Sequence, residues 1–219
     1  MPEGFFDTGL YAITDTAIAG CSHAEIVEAI TRAGGRLIQL REKQLPARDF
    51  YLAAQAAVMR ARVAGALLII NDRVDIAKLT GAAGVHLGQD DLAPEKARAL
   101  LGPDAIIGIS THSLAQAQAA DRLPVDYIAV GPVFHTETKP AASAGVAGGQ
   151  VGLELVRSVR AAISKPVVAI GGITLELAPE VLRAGAAAVA VISDLLKYDR
   201  IDQRTEEFLA RLAYANRPS

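Results

Sequence analysis

Tryptophan is absent from this chain, aromatic residues make up only 5% of it, and there is a single cysteine. So few rings exclude a core built on stacked aromatics and favour β-branched strands with helices packed through small side chains. Cys21 has no partner for an internal disulfide and no companions for a zinc site. There is no excess of positive charge: the net charge is −2 and the pI is about 6.1, which argues against a basic nucleic-acid surface. No apolar run reaches the roughly 18 residues of a membrane span, and no basic start followed by an apolar stretch marks a secretory leader. The setting expected from these absences is soluble, reducing and cytoplasmic, with no nucleic-acid or membrane partner. Nor does the order of residues show a Ser-His-Asp or Cys-His arrangement.

What is present is aliphatic and periodic. The 219 residues are 51% hydrophobic. Short apolar runs at 10–14, 36–40, 67–70, 85–87, 106–109, 127–130, 167–170 and 187–192 read as strands flanked by Gly, Asn, Asp and Ser. Continuous Val/Ile runs mark parallel strands covered by helices. Between them, Phe50, Ala53, Ala54, Ala57, Val58 and Ala61 fall on one helical face. Ser22 followed by Glu25 forms a capping-box pattern. Ser113 precedes a helix over 114–120, and 152–163 and 205–214 give further helices, the last of them closing the chain. Strand-then-helix units repeated in this length predict an α/β fold, a single (β/α)₈ TIM barrel over 1–219, with a doubly wound open sheet as the rival. The Ala/Gly-rich stretch 141–149 reads as a mobile loop, part of a segment over about 136–150.

In a barrel, functional groups gather where strands end. Those positions hold Gln39, Arg41 and Lys43; Asn71 and Asp72; Gln89, Asp90 and Asp91; Ser110, Thr111 and His112; Thr136, Thr138 and Lys139; Gly171 and Gly172; and Ser193. Strand alternation puts Gln39, Arg41 and Lys43 on one face. Two cations and an amide converging there need an anionic partner, either nearby carboxylates or a phosphate-bearing ligand. Gly171-Gly172 with Ile192-Ser193 fits the phosphate site that barrels build after their seventh and eighth strands, or else a plain tight turn. Asp72 and Asp91 can share a magnesium ion with diphosphate oxygens, or each can cap a helix; Asp90 points differently and ranks below Asp91. Thr136, Thr138 and Lys139 can grip phosphate or belong to an ordinary surface loop. Ser110 is a hydrogen-bond partner for a heterocycle or a cap. His86 reads as a core or mouth residue, and His112 and His135 as loop residues without an identifiable partner.

Taken in order, the motifs carry a resemblance. Gln39-Leu-Arg-Glu-Lys43, Asn71-Asp-Arg73, Gly84-Val-His-Leu-Gly-Gln-Asp-Asp91, Gly108-Ile-Ser110, Asp126-Tyr127 through Gly131-Pro132 to Thr136-Glu-Thr-Lys139, Ala169-Ile-Gly-Gly-Ile173 and Val191-Ile-Ser193 together resemble the thiamine phosphate synthase family. The resemblance implies condensation of 4-amino-2-methyl-5-hydroxymethylpyrimidine diphosphate with a thiazole phosphate, carboxylated or not, to give thiamine phosphate and pyrophosphate. It implies that Gln39, Arg41, Lys43, Asn71 and Lys139 hold the pyrimidine diphosphate, with Leu40 and Glu42 in the same binding segment. Asp72 and Asp91 would hold Mg²⁺, and Ser110 would contact the pyrimidine. Thr136, Thr138, Gly172, Ile192 and Ser193 would hold the thiazole phosphate, with Glu137 between the threonines. Arg41, Lys43, Ser110 and Lys139 carry the catalytic roles it implies. The partners are small-molecule substrates, and a homo-oligomer remains open. The chain departs from the family pattern at His135 and Val151, where proline is usual. The rivals are a thiazole tautomerase-like isomerase, another phosphate-handling barrel such as a sugar-phosphate isomerase, and a non-catalytic phosphate-binding barrel. The intact cationic set and aspartate pair argue against the first and the last, and the absence of a clear general-base pair argues against the isomerase.

Overall fold

A computed structural model describes residues 4–136 and 150–215. Eight parallel strands close into a barrel in sequence order: β1 (Leu10–Thr14), β2 (Leu37–Leu40), β3 (Leu67–Asn71), β4 (Gly84–Leu87), β5 (Ile106–Thr111), β6 (Tyr127–Val130), β7 (Val167–Ile170) and β8 (Ala188–Val191). β8 returns to β1, with Leu10 opposite Val189. The open-sheet rival is thereby excluded. Every expected strand forms, with ends displaced by at most two residues.

The helices follow their strands. They are α1 (Thr16–Ala19), α2 (His23–Arg32), α3 (Ala47–Val63), α4 (Val74–Thr80), α5 (Pro94–Leu101), α6 (Leu114–Ala120), α7 (Gly152–Ala162), α8 (Ala178–Arg183), α9 (Ser193–Leu196) and α10 (Ile201–Ala215). α2 starts with the expected capping box: Glu25 N–H donates to Ser22 Oγ at 3.3 Å, and Ser22 N–H donates to Glu25 Oε2 at 2.9 Å. Such a cap contributes about 1 kcal/mol. Ser113 caps α6 through Gln116 N–H. None of the described helices is long and apolar enough to cross a membrane.

Two cores follow from strand alternation. Outward residues such as Leu10, Ala12, Ile38, Leu40, Ile70, Val85 and Ile107 meet the buried faces of the helices, including Phe50, Ala54, Ala57, Val58 and Ala61 of α3. Each fully buried aliphatic side chain contributes about 1.5–3 kcal/mol. Inward residues Tyr11, Ile13, Leu37, Ile69, Ile106, Tyr127, Ala129, Val168, Ala188 and Ala190 fill the barrel, joined by Phe5 from the residues before β1. Scarce aromatics gather in the interior, with Phe5, Phe6 and Tyr11 all packed on Tyr127.

Glycine makes room for that ring. A Cβ at Gly108 would lie 2.0 Å from Cζ of Tyr127. Gly108→Ala should therefore destabilise the fold by about 1–3 kcal/mol or more through overpacking. Gly65→Ala has open space around it and only a left-handed φ of +67° to strain, so it should cost about 1 kcal/mol. Urea unfolding midpoints measure both; an unchanged midpoint for Gly108→Ala would refute the packing account.

Candidate active site

Alternation also decides which side chains meet at the C-terminal mouth of the barrel. The last inward positions are Ile13, Gln39, Asn71, His86, Ser110, Ile170 and Ile192, and all of them line one cavity of about 350 Å³. Arg41, Lys43, Asp72, His112, Pro132, Gly171 and Thr136 complete its wall. β2 ends at Leu40, so the shared-strand-face argument holds for Gln39 alone. Arg41 and Lys43 reach the same cavity from the loop that follows. Leu40 is fully buried in the outer core, and neither it nor Glu42 lines the cavity.

That loop is fixed by internal ion pairs. Arg41 Nη1 donates to Asp15 Oδ2 at 2.5 Å, and Asp15 also caps α1 by accepting from Ala17 and Ile18 N–H. Glu42 Oε2 meets His23 Nε2 at 3.2 Å, while Glu42 Oε1 accepts from Gln44 N–H at 2.6 Å and Leu45 N–H at 3.2 Å. Burial pushes the Glu42 carboxyl up, but these donors outweigh it and hold it below the usual carboxylate range. Glu42 thus shapes the turn that carries Arg41 and Lys43.

Lys43 Nζ donates to Asp72 Oδ2. Asp72 adopts φ +61°, the sole non-glycine residue with positive φ among those described. Such a left-handed conformation costs of order 1 kcal/mol for a non-glycine residue and persists only where the surroundings impose it. Asp91 lies beside Asp72 and accepts from Gly88 N–H at 2.6 Å. Burial first, and then the Asp72 carboxylate, push the Asp91 carboxyl above its ordinary range despite the Gly88 bond and Lys43. Neither aspartate caps a helix: the N-cap residues of α4 and α5 are Arg73 and Ala93, and neither makes a side-chain cap. Two carboxylates side by side, one of them balanced by a lysine, match the donor set of a hard divalent cation. Among the described residues no cluster of three or more potential ligands exists. A hard divalent cation held here would have to take the rest of its coordination shell from ligand oxygens and water.

A groove adjoins the cavity, lined by Ile18, His135, Thr136, Gly172, Thr174, Ser193 and Lys197 among others. Thr136 borders both spaces. Gly171 and Gly172 have φ +99° and +65°, and a Cβ on Gly172 would lie 2.3 Å from the His135 carbonyl oxygen. Glycine is therefore required for the β7 loop to approach the β6 loop. α9 begins at Ser193 immediately after β8, presenting a helix start beside these glycines. Buried Asp194 joins the two loops. It accepts from Leu175 N–H at 2.9 Å, from Arg204 Nη2 at 2.6 Å and from Lys197 Nζ at 3.0 Å. Burial raises its carboxyl, but these donors outweigh burial and hold it low.

Glu137, Thr138 and Lys139, and the expected mobile loop over 141–149, lie outside the described residues. Sequence reasoning missed Asp15, the partner of Arg41, and Tyr11 and Tyr127, which join Gln39 to His86 inside the barrel. The signal for the tyrosines was available: strand alternation places both inward. His112, read as partnerless, lines the cavity and donates from Nδ1 to the Gly131 carbonyl at 2.5 Å.

Comparison with known proteins identifies the family. A family model described as thiamine monophosphate synthase matches residues 10–195. A protein of Azorhizobium caulinodans named thiamine-phosphate synthase is 46% identical over 196 residues, 89% of this chain and 90% of that one. One of Koribacter versatilis, of the same name, is 43% identical over 214 residues, covering 95% and 98%. The solved thiamine phosphate pyrophosphorylase of Pyrococcus furiosus superposes with a TM-score of 0.85 at 33% identity, covering 96% of this chain and 98% of its own. A barrel with this rim and these relatives belongs to the thiamine monophosphate synthase family.

Proposed function

We propose that the chain joins 4-amino-2-methyl-5-hydroxymethylpyrimidine diphosphate to 4-methyl-5-(2-phosphoethyl)thiazole, forming thiamine phosphate and releasing pyrophosphate. The observation that carries this reading is the adjacency of two differently built spaces. One gathers Arg41, Lys43, Asp72 and Ser110, and the other is a glycine-walled groove at a helix start, with Thr136 bordering both. A diphosphate suits the first and a monophosphate the second.

Asp72 and Asp91 are the residues that would hold Mg²⁺. When bound, the ion neutralises charge on the diphosphate. The chain's own groups do the rest. Arg41 and Lys43 face the diphosphate and stabilise the negative charge that develops as it departs from the pyrimidine methylene carbon. Asn71 and Gln39 orient the pyrimidine end from the cavity wall. The glycine loop and Ser193 hold the thiazole phosphate so that the thiazole nitrogen is aligned with the methylene carbon, and the new C–N bond forms as the C–O bond to diphosphate breaks. No protein nucleophile enters the reaction. A tautomerase would have no use for paired carboxylates and cations around a diphosphate-sized space.

Purified protein with both substrates and Mg²⁺ should yield thiamine phosphate and pyrophosphate in equal amounts, and EDTA should abolish the product. Absence of product under conditions that support a known synthase would overturn the assignment. Arg41→Ala should lower kcat/KM by about 10²–10³-fold, the loss typical of one electrostatic donor. Its ion pair with Asp15 is part-exposed and contributes about 0–1 kcal/mol, so the melting temperature should fall by no more than about 2–4 °C. A large drop in melting temperature with proportionate loss of activity would mark Arg41 as structural instead.

A further inference from the structure

A file of hydrogen bonds crosses the barrel interior. Gln39 Nε2 lies 3.0 Å from Tyr11 Oη, Tyr11 Oη lies 2.9 Å from Tyr127 Oη, Tyr127 Oη lies 2.9 Å from His86 Nδ1, and His86 Nε2 lies 2.8 Å from Ser110 Oγ. Both ends, Gln39 and Ser110, line the cavity. Tyr11 and Tyr127 are fully buried, and burial raises both hydroxyls far above the ordinary tyrosine range, so each keeps its proton.

The direction of the file follows from counting hydrogens. An amide N–H can only donate, so Tyr11 accepts from Gln39. The hydrogen of Tyr11 then has a single acceptor among the described residues, the Tyr127 oxygen. Tyr127, having accepted, passes its own hydrogen to His86 Nδ1. An Nδ1 that accepts carries no proton, so Nε2 holds the imidazole hydrogen and donates it to Ser110 Oγ. The reverse direction would leave the buried Tyr11 hydrogen without an acceptor, a cost of about 1–3 kcal/mol. In the forward direction both tyrosine hydrogens and the imidazole hydrogen have acceptors.

The ends are thereby set. Ser110 accepts from His86, and its own hydrogen points to the ligand. Gln39 has its nitrogen on Tyr11, so its carbonyl oxygen is the acceptor it has left for the ligand. Gln39 lines the cavity, so an acceptor on its side chain is within reach of a ligand there. The pair Ser110–His86 also resembles a nucleophile and its base, but the polarity is wrong. A base needs an open Nε2 and a partner that accepts from Nδ1–H. Here Tyr127 donates to Nδ1.

We propose that Tyr11, Tyr127 and His86 act as positioning residues that fix Ser110 as a donor and Gln39 as an acceptor, so that the cavity selects an aminopyrimidine over its oxo counterpart. The inference rests on the substrate reading above. An aminopyrimidine offers an N–H₂ donor beside an unprotonated ring nitrogen, which complements an acceptor and a donor. The oxo form offers a carbonyl beside a ring N–H, the inverse pattern, and leaves both protein groups facing like partners.

Two measurements decide it. Side-chain ¹⁵N NMR of the ligand-free protein should show His86 as the Nε2–H tautomer, with His112, whose Nδ1 donates to Gly131, as the opposite tautomer for reference. An Nδ1–H tautomer at His86 would overturn the relay. Ratios of kcat/KM for the aminopyrimidine diphosphate and its 4-oxo counterpart should be about 10⁴ or more in the unaltered enzyme, as for sites that read hydrogen bonds. Tyr127→Phe and Tyr11→Phe keep the rings and the packing, and each should lower that ratio at least about tenfold, the equivalent of one weak hydrogen bond. An unchanged ratio in both variants would refute the proposal, since a merely structural role moves stability and leaves discrimination alone. Failure of the unaltered protein to use the aminopyrimidine substrate would instead refute the substrate reading, with the NMR result still deciding the relay.

Discussion

Closure of the parallel sheet is the constraint from which the site follows. Once eight strands close with β8 against β1, every second residue must face a common interior. Small and aliphatic residues fill most of it. At the upper layer, however, the inward positions include Gln39, Asn71, His86 and Ser110. Buried polar groups are tolerable only when each is paired. The tyrosines inside the barrel pair with Gln39 and His86, His86 in turn pairs with Ser110, and Gly108 supplies the space for one of the tyrosine rings. The same interactions that make a polar layer affordable also settle which atoms it presents to a ligand.

Around that layer, charge is stored in internal pairs: Arg41 with Asp15, and Lys43 with Asp72. Both pairs are part-exposed, so they contribute little to stability. Their value is geometric, because they hold cations at the rim in a protein with no net positive charge. Asp91, beside Asp72 and raised by burial and repulsion, is the group for which a divalent cation would relieve the most unfavourable charge. On the far side, Asp194 ties the glycine loop after β7 to α9 after β8, so the groove is held by the outer helices as well as by its own backbone.

The barrel was legible in the sequence because continuous Val/Ile runs and their spacing report burial on both strand faces directly. The capping box at Ser22 and the α3 stripe were legible for the same reason: they are local. The rim residues were legible as a set, since they sit at strand ends. What escaped was long-range pairing. Nothing near Arg41 in sequence announces Asp15, and nothing near Ser110 announces Tyr127 as the neighbour of its histidine partner. The alternation argument for Arg41 and Lys43 reached the right cavity by a strand that in fact stops at Leu40. For Asp72 and Asp91 the sequence left helix capping open beside a shared ion, because aspartate before a helix is often a cap; their side chains turn to Lys43 and Gly88.

The central claim is that cations and carboxylates at one rim bind a diphosphate jointly with a divalent ion. Calorimetric titration of pyrophosphate into the protein tests it most directly. Binding should tighten at least about tenfold on adding Mg²⁺, the scale of 1.4 kcal/mol, and the Mg²⁺ effect should vanish in Asp72→Asn. Equal pyrophosphate affinity with Mg²⁺ and with EDTA, or an unchanged Mg²⁺ effect in Asp72→Asn, would contradict the account.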